Sequence, residues 1–330
     1  MDCNKILVTG GLGFIGSNYL RYLESTGFSG KVTNVDKEGI GSNSENLKGL
    51  KLDYEHKKLD ISAEKFDFSG WDCIVNFASE THVDRSIADP HSFVMNNVWS
   101  AFNLLESLRK GNTGVRVVHV STDEIYGEAI QGSFSESSPY RPSNPYSATK
   151  VAQEALFLSY IRTYGVNASI VRPSNNFGPY QFPEKLIPKT IIRALNGLKV
   201  PIYGSGKQVR SWIHARDTAE AIQLVLEKGC KGEVYNIPGI QEIENAELIK
   251  NVLYMLGRDE SSIEHVDDRP GHDFRYSITG EKIKALGFRH RTSLEDGLKL
   301  TVAWYVENRG WWEPLIKDDP SLVSEQPWKL

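Results

Sequence analysis

Ile6-Leu7-Val8-Thr9-Gly10-Gly11-Leu12-Gly13-Phe14-Ile15-Gly16-Ser17 is the stretch from which the fold can be read. Three apolar residues fit a buried parallel strand, glycines follow at once, and beyond Gly16 the residues Tyr19, Leu20 and Leu23 fall on one helical face. In such a strand–loop–helix unit Gly10 allows a tight turn, Gly13 lets backbone approach a pyrophosphate, and Gly16 lets helix and strand pack closely. The helix start, with Phe14 and Ile15, offers backbone N–H groups to the anion. Glycines alone would also suit a plain structural turn. The context decides: Lys31-Val32-Thr33-Asn34-Val35-Asp36 reads as a second strand ending in an acid, about 20 residues on. Asp36, with Lys37 beside it, would accept hydrogen bonds from an adenosine ribose and repel a 2′-phosphate, which favours NAD over NADP.

Outward from that unit, apolar runs recur. Leu59-Asp60-Ile61 closes a third strand, where Asp60 and Ile61 could meet the adenine, although Asp60 could equally cap the next turn. A fourth strand, Cys73 to Ser79, ends in Phe77, Ala78 and Ser79, and carboxyl ends of parallel strands are where open sheets bind ligands. After a polar loop, Asp89-Pro90 starts a helix in which Val94, Val98, Ala101, Leu105 and Leu108 form an apolar face. His82 in that loop has no His or Cys near it in sequence, so no metal site is expected.

The fifth strand, Val115 to Ser121, runs directly into Thr122-Asp123-Glu124. Thr and Asp commonly just cap turns. At the end of a central strand of a nucleotide-binding sheet, catalysis is the stronger reading. Asn144-Pro145 then opens a helix that carries Tyr146 and Lys150, four apart and so on the same side. A neighbouring ammonium favours the phenolate form of a tyrosine. The carboxylic pair adds a second proton-transfer unit, and two such units suggest a reaction with several proton transfers.

Composition excludes other classes. The chain has 330 residues, 40% of them hydrophobic and 24% charged, enough for a sizeable core in one large or two smaller domains. A net charge of −4 without clustered Lys and Arg leaves no footprint for nucleic acid. No leader-like N-terminal run or bilayer-spanning segment is read, so no membrane partner is expected. Cys3, Cys73 and Cys230 are odd in number and widely spaced, which supports neither a disulfide framework nor a zinc site and makes a reducing cytoplasm the simplest setting. Near the C-terminus, Leu294 to Trp312 reads as helical, with Leu298, Thr301, Val302 and Tyr305 on one face and aromatic residues suited to core or interface. The tail from Pro314 to Leu330 reads as irregular.

These motifs carry a resemblance. The TGGLGFIGS loop, the STDE run and the YSATK helix resemble the extended short-chain dehydrogenase/reductase superfamily. Within it, HVDRSI at His82–Ile87, STDEIYG at Ser121–Gly127, RPSNNFGPYQFPEKLIP at Arg172–Pro188 and DRPGHDFRY at Asp268–Tyr276 are similar to the nucleotide-sugar 4,6-dehydratases. The resemblance implies an α/β fold: a Rossmann-like doubly wound parallel sheet, with a smaller C-terminal substrate-binding α/β domain. The implied division gives residues 1–175 and 211–239 to NAD and residues 176–210 and 240–330 to the sugar nucleotide.

It also implies roles. Tyr146, acidified by Lys150 and the nicotinamide charge, would take the 4-hydroxyl proton with help from Thr122. Glu124 would remove the C5 proton, and protonated Asp123 would donate to the departing 6-hydroxyl. Asn176 belongs near the nicotinamide. Thr81, Asn175, Lys185, Leu186, Pro201, Tyr203, Arg210, Asn236, Arg269 and His272 are implied substrate contacts. The base of the nucleoside diphosphate glucose stays open between thymidine, uridine and guanosine. A C4 epimerase that used Tyr146 and Lys150 without the carboxylic pair is the main alternative. Family members pair as homodimers through helices, here Pro90–Lys110 and Pro145–Tyr164. Two departures stand out: Ile40, where a tyrosine is common, and Phe77-Ala78-Ser79 in place of a double alanine.

Overall fold

Seven parallel strands form the principal sheet of the computed structural model, which describes residues 3–325. They are β1 (Lys5–Thr9), β2 (Lys31–Asp36), β3 (Tyr54–Lys58), β4 (Cys73–Asn76), β5 (Arg116–Val120), β6 (Ala168–Pro173) and, after β7 (Asn175–Phe177), β8 (Val200–Tyr203) and β9 (Val209–His214), the last strand β10 (Val234–Ile237). Their order is β10-β6-β5-β4-β1-β2-β3. The direction of winding therefore reverses between β1 and β4, and such a switch point opens a crevice at the strands' carboxyl ends. Every loop with a proposed cofactor role leaves the sheet at that edge.

Alternation along β1 explains why both faces are covered. Ile6 and Val8 pack with Leu20 and Leu23 of the Phe14–Ser25 helix and with Ile222 and Val225 of the Ala215–Lys228 helix. Leu7 packs on the opposite face with Ala101, Leu105 and Leu108 and with Phe157 of the Pro145–Tyr164 helix. That helix starts where the sequence indicates, on a capping box: Asn144 Oδ1 accepts from the Ser147 amide at 2.9 Å, and the Ser147 hydroxyl accepts from the Asn144 amide at 3.3 Å.

A smaller layer lies beyond. β9 pairs parallel with β7 and antiparallel with β11 (Gln241–Glu244), while β8 pairs with β12 (Ile263–Val266). Its core joins Phe177, Ile191, Trp212, Leu248, Leu298, Tyr305 and Trp312. β9 runs across the expected division at residue 211.

Three expectations need correction. Helix Pro90–Phe93 passes into a π-helical turn, Val94–Val98, before the regular helix Trp99–Lys110. The wider turn shifts the helical phase, so Val94 is 50% exposed and Asn97 is buried, and of the expected apolar face Ala101, Leu105 and Leu108 are buried, joined by Leu104. Cys3 and Cys73 are joined as a disulfide, Cα–Cα 5.6 Å, because β4 lies beside β1 and closes a separation of 70 residues. The compartment argument drawn from cysteine usage falls with that pairing. Finally, Leu294–Trp312 is two helices, Leu294–Glu307 and Arg309–Asp318, and the second contains Pro314; Pro320–Val323 is a further helical turn. The expected irregular tail is thus ordered up to that point, and its last five residues lie outside the described ones.

Candidate active site

Gly10 has φ +74°, and a Cβ there would meet the Ala78 amide nitrogen at 2.9 Å. A Cβ at Gly16 would sit 2.8 Å from Gly11 Cα. The loop thus closes onto the sheet, and Gly13, Phe14, Ile15 and Gly16 face a cavity with the first turn of their helix. The same cavity takes in Asp36, Lys37, Asp60, Ile61, Phe77, Ala78, Ser79, Asn176, Tyr146 and Lys150, so every residue assigned to the cofactor lines one space. Asp36 Oδ2 accepts from the Leu12 amide at 3.0 Å and Oδ1 from the Glu38 amide at 2.8 Å, which fixes the carboxylate at the end of β2. Lys37 pairs with Glu80 at 2.6 Å. Ile40, at the position of the commoner tyrosine, is exposed on the rim.

A second cavity adjoins the first, sharing Thr81, Asn175, Lys185 and Glu124. Leu186, Pro201, Tyr203, Arg210, Arg269 and His272 line it. Asn236 does not: it lies wholly buried in β10, where its Oδ1 accepts from the Tyr126 hydroxyl at 2.8 Å. Residues that the sequence reading missed also line this cavity, notably Asp84, Glu184, Lys189 and Gln208. Lys189 lies one helical turn beyond Lys185, a spacing that could have pointed to it, and Asp84 and Glu184 fall inside motifs already singled out. Gln208 carries no sequence signal.

Charge in the second cavity is unbalanced. Arg269 pairs with Asp84 at 2.5 Å. Arg210 donates to the carbonyls of Val209 and Asp273, both at 2.8 Å, and lies over the Tyr276 ring; among the described residues it has no carboxylate partner. Lys185 Nζ donates to the Thr81 carbonyl at 3.0 Å, and burial pulls the Lys189 ammonium down to about 8. Buried cations held by carbonyls rather than carboxylates suit a doubly charged anion such as a diphosphate. His82, at the start of a short helix, is held neutral by burial and by Lys185 and Lys189.

The reacting groups stand where the cavities meet. Thr122 caps the turn Asp123–Tyr126, its Oγ1 accepting from the Glu124 amide at 3.3 Å, so the capping role and a place in the site coexist. Burial first, and then the Glu124 charge, push Asp123 up to about 7. Burial raises Glu124 as well, against Arg269, Arg210 and Lys185, and its Oε2 has no hydrogen-bond partner. Lys150 Nζ donates to the Val120 carbonyl at 2.8 Å, and burial lowers it to about 7. Burial and the Glu124 charge raise the Tyr146 phenol, opposed by a hydrogen bond with Thr122, so the protein alone does not produce the acidic phenol that the Tyr–Lys spacing suggests. The arrangement provides one carboxyl that is partly protonated near neutrality beside a second with a free oxygen. Both face a phenol that is bonded to a threonine hydroxyl.

The family model described as GDP-mannose 4,6 dehydratase matches residues 7–301. The chain belongs to the GDP-mannose 4,6 dehydratase family. Among curated relatives, a dTDP-glucose 4,6-dehydratase of Streptomyces niveus is 46% identical, covering 97% of this chain and 98% of its own length. The low-salt glycan biosynthesis protein Agl12 of Haloferax volcanii is 45% identical over 91% of this chain and 98% of its own. Among solved structures, the dTDP-glucose 4,6-dehydratase DesIV of Streptomyces venezuelae, crystallised with NAD, superposes with a TM-score of 0.91 at 44% identity, covering 94% and 99% of the two chains. The UDP-glucose 4-epimerase of Thermotoga maritima is more distant, with a TM-score of 0.84 at 28% identity over 92% and 99%. The architecture of the family, a Rossmann-like parallel sheet with helices on both faces, is the one seen here.

Proposed function

We propose that the chain is an NAD-dependent dTDP-glucose 4,6-dehydratase, with residues 1–175 and 211–239 serving the cofactor and 176–210 and 240–330 the sugar nucleotide. The observation that carries this is the Asp123–Glu124 pair, Asp123 buried and Glu124 part-buried, lying on the cavity that holds Tyr146 and Lys150, with Glu124 reaching the neighbouring one. An epimerase reading leaves that pair without work. The residues around the first cavity fit NAD: a glycine turn that tolerates no Cβ, a helix start, and a fixed carboxylate at the end of β2. The NAD that these residues would hold would supply reversible hydride transfer, from sugar C4 and back to C6.

The protein's own groups handle the protons. Tyr146 Oη, oriented by Thr122, takes the proton of the 4-hydroxyl; the Lys150 ammonium together with the positive charge of the bound nicotinamide would favour the phenolate that starts the step. The resulting 4-ketone acidifies C5–H, and Glu124 removes that proton. Asp123, protonated below about pH 7, delivers its proton to the 6-hydroxyl, which leaves as water. A proton from Glu124 then returns to C5 as hydride reaches C6. Arg210, Arg269, Lys185 and Lys189 would hold the diphosphate.

Incubation of the purified protein with dTDP-glucose in D2O is the test. A 4-keto-6-deoxy product carrying deuterium at C5 is expected, and absence of C5 exchange with every glucose nucleotide tried overturns the reading.

A homodimer belongs to the same proposal. Val94, Met95 and Trp99 are each about half exposed on the outer side of the helices from Pro90 to Lys110, and Tyr164 is similarly exposed at the end of the Pro145–Tyr164 helix packed beside them. An apolar patch of this kind asks for a partner. Trp99→Glu is expected to shift sedimentation from dimer to monomer, whereas a monomeric parent protein would remove the proposal.

A further inference from the structure

Arg172, Glu154 and Tyr126 form a buried cluster that no step above uses. Glu154 is wholly buried on the helix of Tyr146 and Lys150, at the next position of their four-residue spacing, and so stacks one turn behind the lysine. Arg172 is 2% exposed at the end of β6. Its Nε donates to Glu154 Oε1 at 3.0 Å and its Nη2 to Glu154 Oε2 at 2.5 Å. Its Nη1 donates to the Tyr126 hydroxyl and, at 3.2 Å, to the Glu136 carbonyl. The guanidinium also lies over the rings of Tyr126 and Tyr140, and Tyr140 donates to Glu154 at 3.0 Å. Tyr126 in turn donates to Asn236, and it ends the four-residue turn that begins at Asp123.

One planar cation therefore joins the two elements that carry the chemistry. Its carboxylate partner sits on the helix of the oxidising pair, and its phenol partner on the turn of the eliminating pair. A buried ion pair is weak evidence for stability, since apolar residues of like volume often serve as well or better. Its planar, forked geometry is better suited to fixing directions. The helix has a second brace of its own: Asn97 accepts at its backbone carbonyl from Gln153 Nε2 at 2.8 Å, and its Nδ2 donates to Thr149 at 2.9 Å. The Asp123–Tyr126 turn is held at its start by Thr122 and by a Ser174 hydrogen bond to Asp123, and at its end by the Tyr126–Arg172–Asn236 set.

We propose that Arg172 and Tyr126 are positioning residues for the elimination half of the reaction, with Glu154 as their anchor on the catalytic helix. Through them Asp123 and Glu124 are held at a set distance from the sugar already seated against Tyr146. The proposal rests on the dehydratase reading. Displacements of the order of 1 Å at a reacting group cost up to about 100-fold in rate. Release of the turn should slow proton removal from C5 more than oxidation at C4.

Tyr126→Phe keeps the ring and removes only the hydroxyl, while Arg172→Lys keeps the charge and removes the fork. Both are assayed with dTDP-glucose for kcat, KM, bound NAD and the absorbance of reduced nicotinamide during turnover. Expected for each is a kcat lowered by about 10- to 100-fold, KM and NAD content within about twofold of the parent, and reduced nicotinamide building up in the steady state because oxidation outruns elimination. A Tyr126→Phe kcat within about twofold of the parent overturns the inference. So does a kcat that falls in step with a raised KM and with no build-up of reduced nicotinamide, the pattern of general loosening. Should Arg172→Lys fail to fold, Tyr126→Phe decides alone. A parent that forms no 4-keto product overturns the functional reading and this inference together; a parent that turns over while Tyr126→Phe keeps pace overturns the inference only.

Discussion

Replacing Glu124 by Gln is expected to lower turnover of dTDP-glucose by about 10²- to 10⁴-fold, the range contributed by a positioned general base. The amide matches the carboxylate in shape but cannot accept the C5 proton. Glu124 is part-buried between the two cavities with Oε2 unbonded, so no hydrogen bond is broken by the change at that atom. Burial already raises its pKa against three nearby cations, so folding should tolerate the loss of charge. The decisive readout is deuterium at C5 of substrate and product recovered from D2O, which should vanish with turnover. Retention of turnover within a few-fold of the parent would mean that Tyr146 and Lys150 work without the carboxylic pair, as an epimerase would use them.

Asp123→Asn is expected to cost about 10²- to 10³-fold in kcat, because the amide has no acid proton for the leaving hydroxyl, and at the same time to stabilise the fold in a pH-dependent way. Burial and Glu124 hold the Asp123 pKa at about 7 in the folded chain, against 3.8 for an ordinary aspartate. A raised folded-state pKa means that its stabilising contribution is fully present below the unfolded value and is lost as pH rises through about 7. Asparagine carries no charge at any of these values. The melting temperature of the variant should therefore exceed that of the parent by a margin that widens between about pH 5 and about pH 8. The same titration predicts that parent kcat declines as pH rises through about 7. A margin that is constant across the range would show that Asp123 is not the group being uncharged by burial.

Much of the sheet was legible because parallel strands buried on both faces read as short apolar runs: β1, β4 and β5 show as such runs and β2 as a run closed by an acid. β3 is the exception: Tyr54–Lys58 is an edge strand of mostly charged residues, and only its apolar exit at Leu59–Ile61 was visible. The cofactor residues were legible as a set because they lie on the successive loops that leave one edge. The sugar-nucleotide side was less so. Gln208 reaches its cavity through tertiary packing of the smaller layer, which no local spacing encodes, Lys189 was signalled only by its four-residue spacing from Lys185, and Asn236, taken for a ligand contact, instead holds Tyr126 in the interior. The Cys3–Cys73 pair was hidden for a similar reason, since adjacency of β1 and β4 is a property of topology and not of sequence distance.

The π-helical turn at Val94–Val98 has a consequence for how this helix can vary. One surplus residue in the turn sends Asn97 inward, where its side chain accepts from the Glu80 amide at 2.7 Å and donates to Thr149, and sends Val94 and Met95 outward. A single-residue deletion there would restore a regular spiral and swing every preceding side chain by roughly a quarter-turn. The support for the catalytic helix and the apolar outer patch would be lost in one step, so this segment should accept substitutions far more readily than changes in length.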